Sequence, residues 1–261
     1  MLRNRLSKSP VGALLTLTAD IGIYDCENFI LEGAIERHHF SHWVDHVVPL
    51  HAKLTNDYLL KAYKSGDEFA RLKKVVVENL IIAGFKRQGA ELEAASSEDL
   101  FNSLMFRQYT EETEIYPAVN QLLRLGHAGR DVSDSPLVPW ICQLAAALRT
   151  VPEFLSVSYR GTTMRAEDIE KYKVKEIFVW APFTSASKHI NSCLGGNVIF
   201  EFVPVSALSE RDKRAPRDIS KYSVFPSEDE VLLPMCCAYR PIKIEDRSGV
   251  RFIRTEILDH Y

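Results

Sequence analysis

The hydrophobic period of the chain changes at Pro152, and that change constrains the fold more than any other feature. Ahead of it, apolar residues recur three and four apart, as one face of a helix requires. Glu27–His51 and Asn56–Phe85 both read this way. In the second stretch Tyr58, Leu59, Ala62, Phe69, Leu72, Val76, Leu80 and Ile81 form one inward stripe. Gly84 and Gly89 punctuate its end. Gln88–Ser103 is polar and acidic, which suits a linker or an exposed helix. Thr110-Glu111-Glu112 then opens a helix through Leu125 to Gly126, a threonine followed by acids being a favourable start. Ser133–Pro139 reads as a loop and Trp140–Thr150 as a short buried helix.

Beyond Pro152 the apolar residues alternate in short runs, as strands do. These runs are Leu155–Tyr159, Glu176–Trp180, Asn197–Phe202, Glu230–Leu233 and Arg251–Arg254. Little helix separates them, so an antiparallel or mixed sheet is expected. The fold class is therefore α+β, helical first and β-rich second. Composition sets few further limits. The 261 residues are 46% hydrophobic and 26% charged, ordinary for a globular chain. Thirty-two Lys+Arg against 35 Asp+Glu give −3, which leaves no positive excess to hold nucleic acid. No apolar run approaches the ~20 residues of a membrane span.

The five cysteines are Cys26, Cys142, Cys193, Cys236 and Cys237. Their odd count and the lack of a CxxC pair suit a reduced, intracellular protein. Arg3, Arg5 and Lys8 precede a short apolar stretch that threonine interrupts. A frayed start on a cytoplasmic protein is expected, with a targeting segment or an exported effector as the alternative. His38, His42 and His46 share a helix face, with His39 and His51 nearby, and such spacing can chelate a metal. No cysteine or carboxylate cluster completes a ligand set, so an ordinary polar face is expected and no metal.

Dinucleotide-binding glycine patterns, phosphate loops, HExxH and GxSxG are all absent. Three other signatures follow one another instead. Tyr159-Arg160-Gly161 ends a strand. Phe183-Thr184-Ser185-Ala186-Ser187 follows the strand that ends at Trp180. Phe225-Pro226-Ser227-Glu228-Asp229-Glu230 runs into Val231-Leu232-Leu233-Pro234. Singly, these are a surface arginine, a hydroxyl-rich turn and a solvated acidic edge.

Taken in order, they resemble the R-S-E group of arginine-specific mono-ADP-ribosyltransferases, which includes vertebrate ecto-enzymes and bacterial toxins. That family shows Tyr-Arg-Gly, then Phe-x-Ser-Thr-Ser, then Glu-x-Glu. Tyr109-Thr110-Glu111-Glu112, Gly196–Phe200 and Ile219–Ser223 extend the likeness over residues 105–261. It implies an ADP-ribosyltransferase-like catalytic domain there, behind a helical region, residues 1–104, of unknown role. One departure is Ala186, which stands where the family has threonine.

The resemblance implies that NAD is cleaved between nicotinamide and ribose and that ADP-ribose passes to an arginine of a target protein. Such a reaction has an oxocarbenium-like transition state and needs a carboxylate beside the ribose. The likeness gives that role to Glu230. Arg160 would match the diphosphate with its guanidinium fork. Ser185 would orient Glu230, and Gly161 would let the nicotinamide amide approach closely. Tyr159, Thr162, Phe183 and Ser187 complete the expected NAD-binding set.

An arginine acceptor has a pKa above ~12 and needs polarising, which falls to Glu228. Phe225 would help recognise the target, with Tyr222 a further candidate. NAD is the co-substrate, a protein the partner, and a monomer the default. An NAD glycohydrolase and a catalytically silent interaction protein are the alternatives.

Overall fold

The structure, a computed structural model, describes residues 68–111, 113–127, 130–132, 134–193, 195–204 and 215–258. The Glu27–His51 helix, the first part of the next stripe, the histidine face, the basic start and Cys26 lie outside the described residues. Described residues fall into two compact units that divide between Ala147 and Leu148.

The first unit is helical: α1 (Glu68–Ile82), α2 (Lys86–Glu93), α3 (Glu98–Thr110), α4 (Ile115–His127) and α5 (Val138–Leu148). On α1 the stripe buries Val76 and Leu80, and Phe69 meets Phe101 edge-on at 5.7 Å. Ile81 departs from the expected stripe: it is exposed, and Val77 takes its place on the inner face. Gly84 ends the segment with φ +96°, a conformation that favours glycine.

The stretch Gln88–Ser103 is neither a linker nor an exposed helix. It closes α2 and opens α3, and Gln88, Leu92, Phe101 and Asn102 are all buried. Ser97 caps α3 by accepting from the Leu100 N–H, with Glu98 and Asp99 in the first turn. Thr110 does not open the following helix but ends α3, its hydroxyl donating to the Arg107 carbonyl at 3.0 Å. Glu111 beyond it pairs with Arg87 at 2.9 Å. Residues 104 and 105 both lie within α3. Two buried amides donate here, Gln108 Nε2 to the Gln88 carbonyl and Gln143 Nε2 to Asn102 Oδ1.

The second unit is built on one eight-stranded sheet. Its strands are β1 (Ser158–Thr162), β2 (Phe178–Trp180), β3 (Thr184–Ser187), β4 (Val198–Pro204), β5 (Arg217–Asp218), β6 (Glu230–Leu233), β7 (Cys237–Arg247) and β8 (Val250–Leu258). Their order is β2-β7-β8-β4-β1-β3-β6-β5. β4 and β8 pair in parallel and every other pair is antiparallel, so the sheet is mixed, as the strand pattern suggests. A short helix, α6 (Ala166–Ile169), follows β1, and Asp168 at its end is held between Arg165 and Lys171.

One face of the sheet carries a dense aromatic core. Phe178, Trp180, Phe200, Phe202 and Tyr239 lie within ring-contact distance of one another, and Tyr172 closes against Phe178 and Phe200. Such rings bury large apolar areas and lock the strand register. Ala186 and Val231 belong to the same cluster and face each other across β3 and β6. A threonine at 186 would press a hydroxyl into this apolar layer. Among the described residues, no helix is long and apolar enough to cross a membrane.

Candidate active site

β3 lies between β1 and β6, so the three signatures of the sequence occupy adjacent strands. Directly opposed residues of an antiparallel pair point to the same face. Ser185 is opposite Leu232, Ser187 is opposite Glu230, and Tyr159 is opposite Ser187. Ser185, Ser187, Glu230 and Tyr159 therefore share a face. Arg160 sits in the other phase of β1, opposite Phe200. Its guanidinium nonetheless joins the group, with Nη1 donating to the Ser185 carbonyl at 2.9 Å.

Glu230 is the centre of the arrangement and is only 6% exposed. Ser223 Oγ donates to its Oε2 at 2.8 Å, and the Ser185 hydroxyl makes a second hydrogen bond to the carboxylate. Burial raises the Glu230 pKa, and the Glu228 charge pushes the same way. The two hydroxyls and Arg160 oppose that rise without cancelling it.

Gly161 has a packing reason of its own. A Cβ there would lie 1.9 Å from the Cys193 carbonyl oxygen, so the turn Ile190–Cys193 occupies the space a side chain would need. The same cysteine closes on the strand by donating its thiol to the Tyr159 carbonyl at 3.0 Å. Burial raises the Cys193 pKa, which keeps the thiol protonated and able to donate. Thr162 ends β1 opposite Val198. Phe183 is buried at 2% exposure, whereas Tyr159, Arg160, Thr162 and Ser185 are half-buried.

Glu228 and Phe225 belong to a different environment. Pro226–Glu228 form one 3-10 turn, and Phe225 ahead of it is 39% exposed. Asp229 has φ +45°, the left-handed region that a short polar side chain tolerates. This one residue converts the turn into β6 and leaves Glu228 exposed while Glu230 is buried. Ser187 Oγ donates to the Glu228 carbonyl at 2.6 Å, and the Lys188 N–H donates to the Asp229 carbonyl at 3.1 Å. Ser187, expected among NAD ligands, is thus engaged with the turn and buried.

Sequence spacing offers no signal for the role of Ser223, whose partner stands seven residues away across an irregular turn. Tyr222 contributes a ring beneath the Lys221 ammonium at 4.6 Å. Among the described residues, no group of three or more His, Cys, Asp or Glu is placed to hold a metal ion.

No protein-family model matches the chain. A protein of Mycobacterium avium (strain 104), named "Putative NAD(+)--arginine ADP-ribosyltransferase Mav", is 32% identical over 123 residues. That span is 46% of this chain and 13% of the mycobacterial protein. Among solved structures, the ADP-ribosyltransferase HopU1 of Pseudomonas syringae pv. Tomato DC3000 aligns with a TM-score of 0.56 at 19% identity. The alignment covers 75% of this chain and 99% of that one. The type III effector XopAI from Xanthomonas axonopodis pv. citri aligns with a TM-score of 0.50 at 18% identity, over 84% and 99%. An ADP-ribosyltransferase from Clostridium botulinum gives 0.50 at 13% identity, over 69% and 94%. The chain has the ADP-ribosyltransferase fold, the fold its sequence motifs imply.

Proposed function

We propose that this chain is a mono-ADP-ribosyltransferase that cleaves the nicotinamide–ribose bond of NAD and transfers ADP-ribose to arginine side chains of a target protein. The observation that carries the reading is Glu230, a buried carboxylate held by Ser185 and Ser223, with Arg160 bonded to the same Ser185. This donor set fits NAD. A guanidinium matches a diphosphate, and hydroxyls with a carboxylate match a ribose. The 32% identity to a mycobacterial protein named for arginine transfer supports the acceptor class. Residues 105–261 are proposed as the catalytic region.

NAD supplies an ADP-ribosyl group on a nicotinamide leaving group. Arg160 would bind the diphosphate and set how far the nucleotide enters. Glu230 would accept a hydrogen bond from a ribose hydroxyl and stabilise positive charge as it develops at the anomeric carbon. Ser185 and Ser223 hold that carboxylate oriented, so little reorganisation is left for the reaction. Burial makes the Glu230 charge costly in the free protein, and a cationic centre beside it would relieve that cost. Glu228, exposed to solvent, is accessible to an incoming guanidinium and would polarise it through charge-assisted hydrogen bonds.

The test uses the purified chain with NAD and agmatine, a free guanidine acceptor. Released nicotinamide, free ADP-ribose and ADP-ribosyl-agmatine are measured together. Nicotinamide with matching adduct is the expected result. Nicotinamide matched by free ADP-ribose alone would make the chain an NAD glycohydrolase. No turnover would leave a silent binding protein.

A further inference from the structure

Just beyond β3 lies a contact outside the group around Glu230. His189 Nε2 lies 3.2 Å from Asp229 Oδ2, and Asp229 is the residue between the two glutamates. The pair is open to solvent, with side chains 65% and 43% exposed. It completes a set of ties between β3 and the turn that bears Glu228. Ser187 Oγ holds the Glu228 carbonyl, the Lys188 N–H holds the Asp229 carbonyl, and the His189 N–H donates to Ser187 Oγ at 3.0 Å. Lys188 does not compete for Asp229, because its ammonium is engaged with Asp218 at 2.8 Å and with Ser220 at 3.1 Å.

We infer that His189 and Asp229 are positioning residues that hold the Glu228 turn for the acceptor and so set how ADP-ribose divides between a guanidine and water. The inference rests on the arginine-directed reading of the same site. The Glu230 carboxylate has partners of its own. Its place is fixed by Ser185, Ser223 and the β3–β6 ladder. Glu228 stands on the exposed side of the turn, and its position follows the backbone of Asp229. Loosening the turn therefore disturbs the acceptor carboxylate and spares the buried one. Asp229 sits at a conformation that asparagine also tolerates, so Asp229→Asn removes the charge without straining the backbone.

The experiment compares wild type with His189→Ala, His189→Gln, Asp229→Asn and the His189→Ala/Asp229→Asn double variant, with NAD and graded agmatine. His189→Ala and Asp229→Asn each lower the ratio of adduct to free ADP-ribose about threefold, the scale of one exposed polar contact. The loss enters as a raised KM for agmatine, while nicotinamide release without agmatine stays within about twofold of wild type. His189→Gln, which keeps an N–H donor, recovers most of the ratio. The double variant is no worse than either single, because both remove one interaction.

An unchanged ratio in both His189→Ala and Asp229→Asn overturns the inference. So does a fall in nicotinamide release that keeps step with the adduct, or losses that add in the double variant. Wild type that forms no adduct overturns the arginine reading itself, whereas a failure confined to the variants overturns only the role of the pair.

Discussion

Glu228 and Glu230 stand two residues apart and live in opposite surroundings. Glu230 begins a strand, is buried, and receives hydrogen bonds from two serines. Glu228 ends a 3-10 turn and faces solvent. Two carboxylates on one continuous strand would share a face and a fate. The left-handed Asp229 between them breaks that symmetry. One sequence motif thereby yields two chemically distinct acids: one preorganised in a low-dielectric place, the other free to meet a partner.

The widest test of that contrast is Glu230→Gln, which lowers NAD cleavage at least about a hundredfold with or without agmatine. Glu228→Gln lowers adduct formation about tenfold or more and leaves nicotinamide release within a few-fold, as loss of an acceptor contact should. Equal losses of both products in both variants would dissolve the distinction.

A third prediction moves to β1. Gly161→Ala places a methyl 1.9 Å from the Cys193 carbonyl and costs about 1–3 kcal/mol of stability, measured by urea unfolding. Next comes Ala186→Thr, which restores the residue the motif lacks. It buries a hydroxyl opposite Val231 and costs about 1 kcal/mol while leaving nicotinamide release near wild type.

The smallest effect concerns pH. The folded Glu230 pKa is raised, so the folded chain holds its proton more tightly than the unfolded chain does. The stability of wild type therefore falls as pH rises through that range. Glu230→Gln, which carries no charge, melts a few degrees above wild type at pH 7. The gap closes as pH falls below ~4, where both states of the wild type are protonated. A gap independent of pH would mean that the buried charge is not its cause.

Much of this arrangement is legible in the sequence because strand periodicity and three short motifs point to the same sheet. Arg160, Ser185 and Glu230 do come to adjacent strands. What the residues do not disclose is register. Tyr159, rather than Arg160, faces Ser187, since the alternation of β1 is set by its pairing with β4 and β3. β7 is hidden from a pattern reading because Pro241 and a charged run from Lys243 to Arg247 mask its alternation. The strand absorbs the proline at an irregularity between Pro241 and Lys243 and pairs along its length with β8. The helix boundary near Thr110 differs from expectation for a local reason. Acids disfavour the end of a helix, and the pairing of Glu111 with Arg87 offsets that cost here.

The parallel pairing of β4 with β8 also has a kinetic consequence. It joins two halves of unequal origin. β7 and β8 meet through a tight turn, with Arg247 opposite Val250, so that hairpin closes on itself by local contact. Its attachment to the rest requires Val198 to find Arg251 and Phe178 to find Tyr239. Those are long chain closures, whose entropy must be met before the contacts reward it. The strands that carry Arg160, Ser185 and Glu230 all lie on the β4 side of that junction. A substitution in the turn at Ser248 and Gly249 is therefore expected to change the refolding rate more than the completed site.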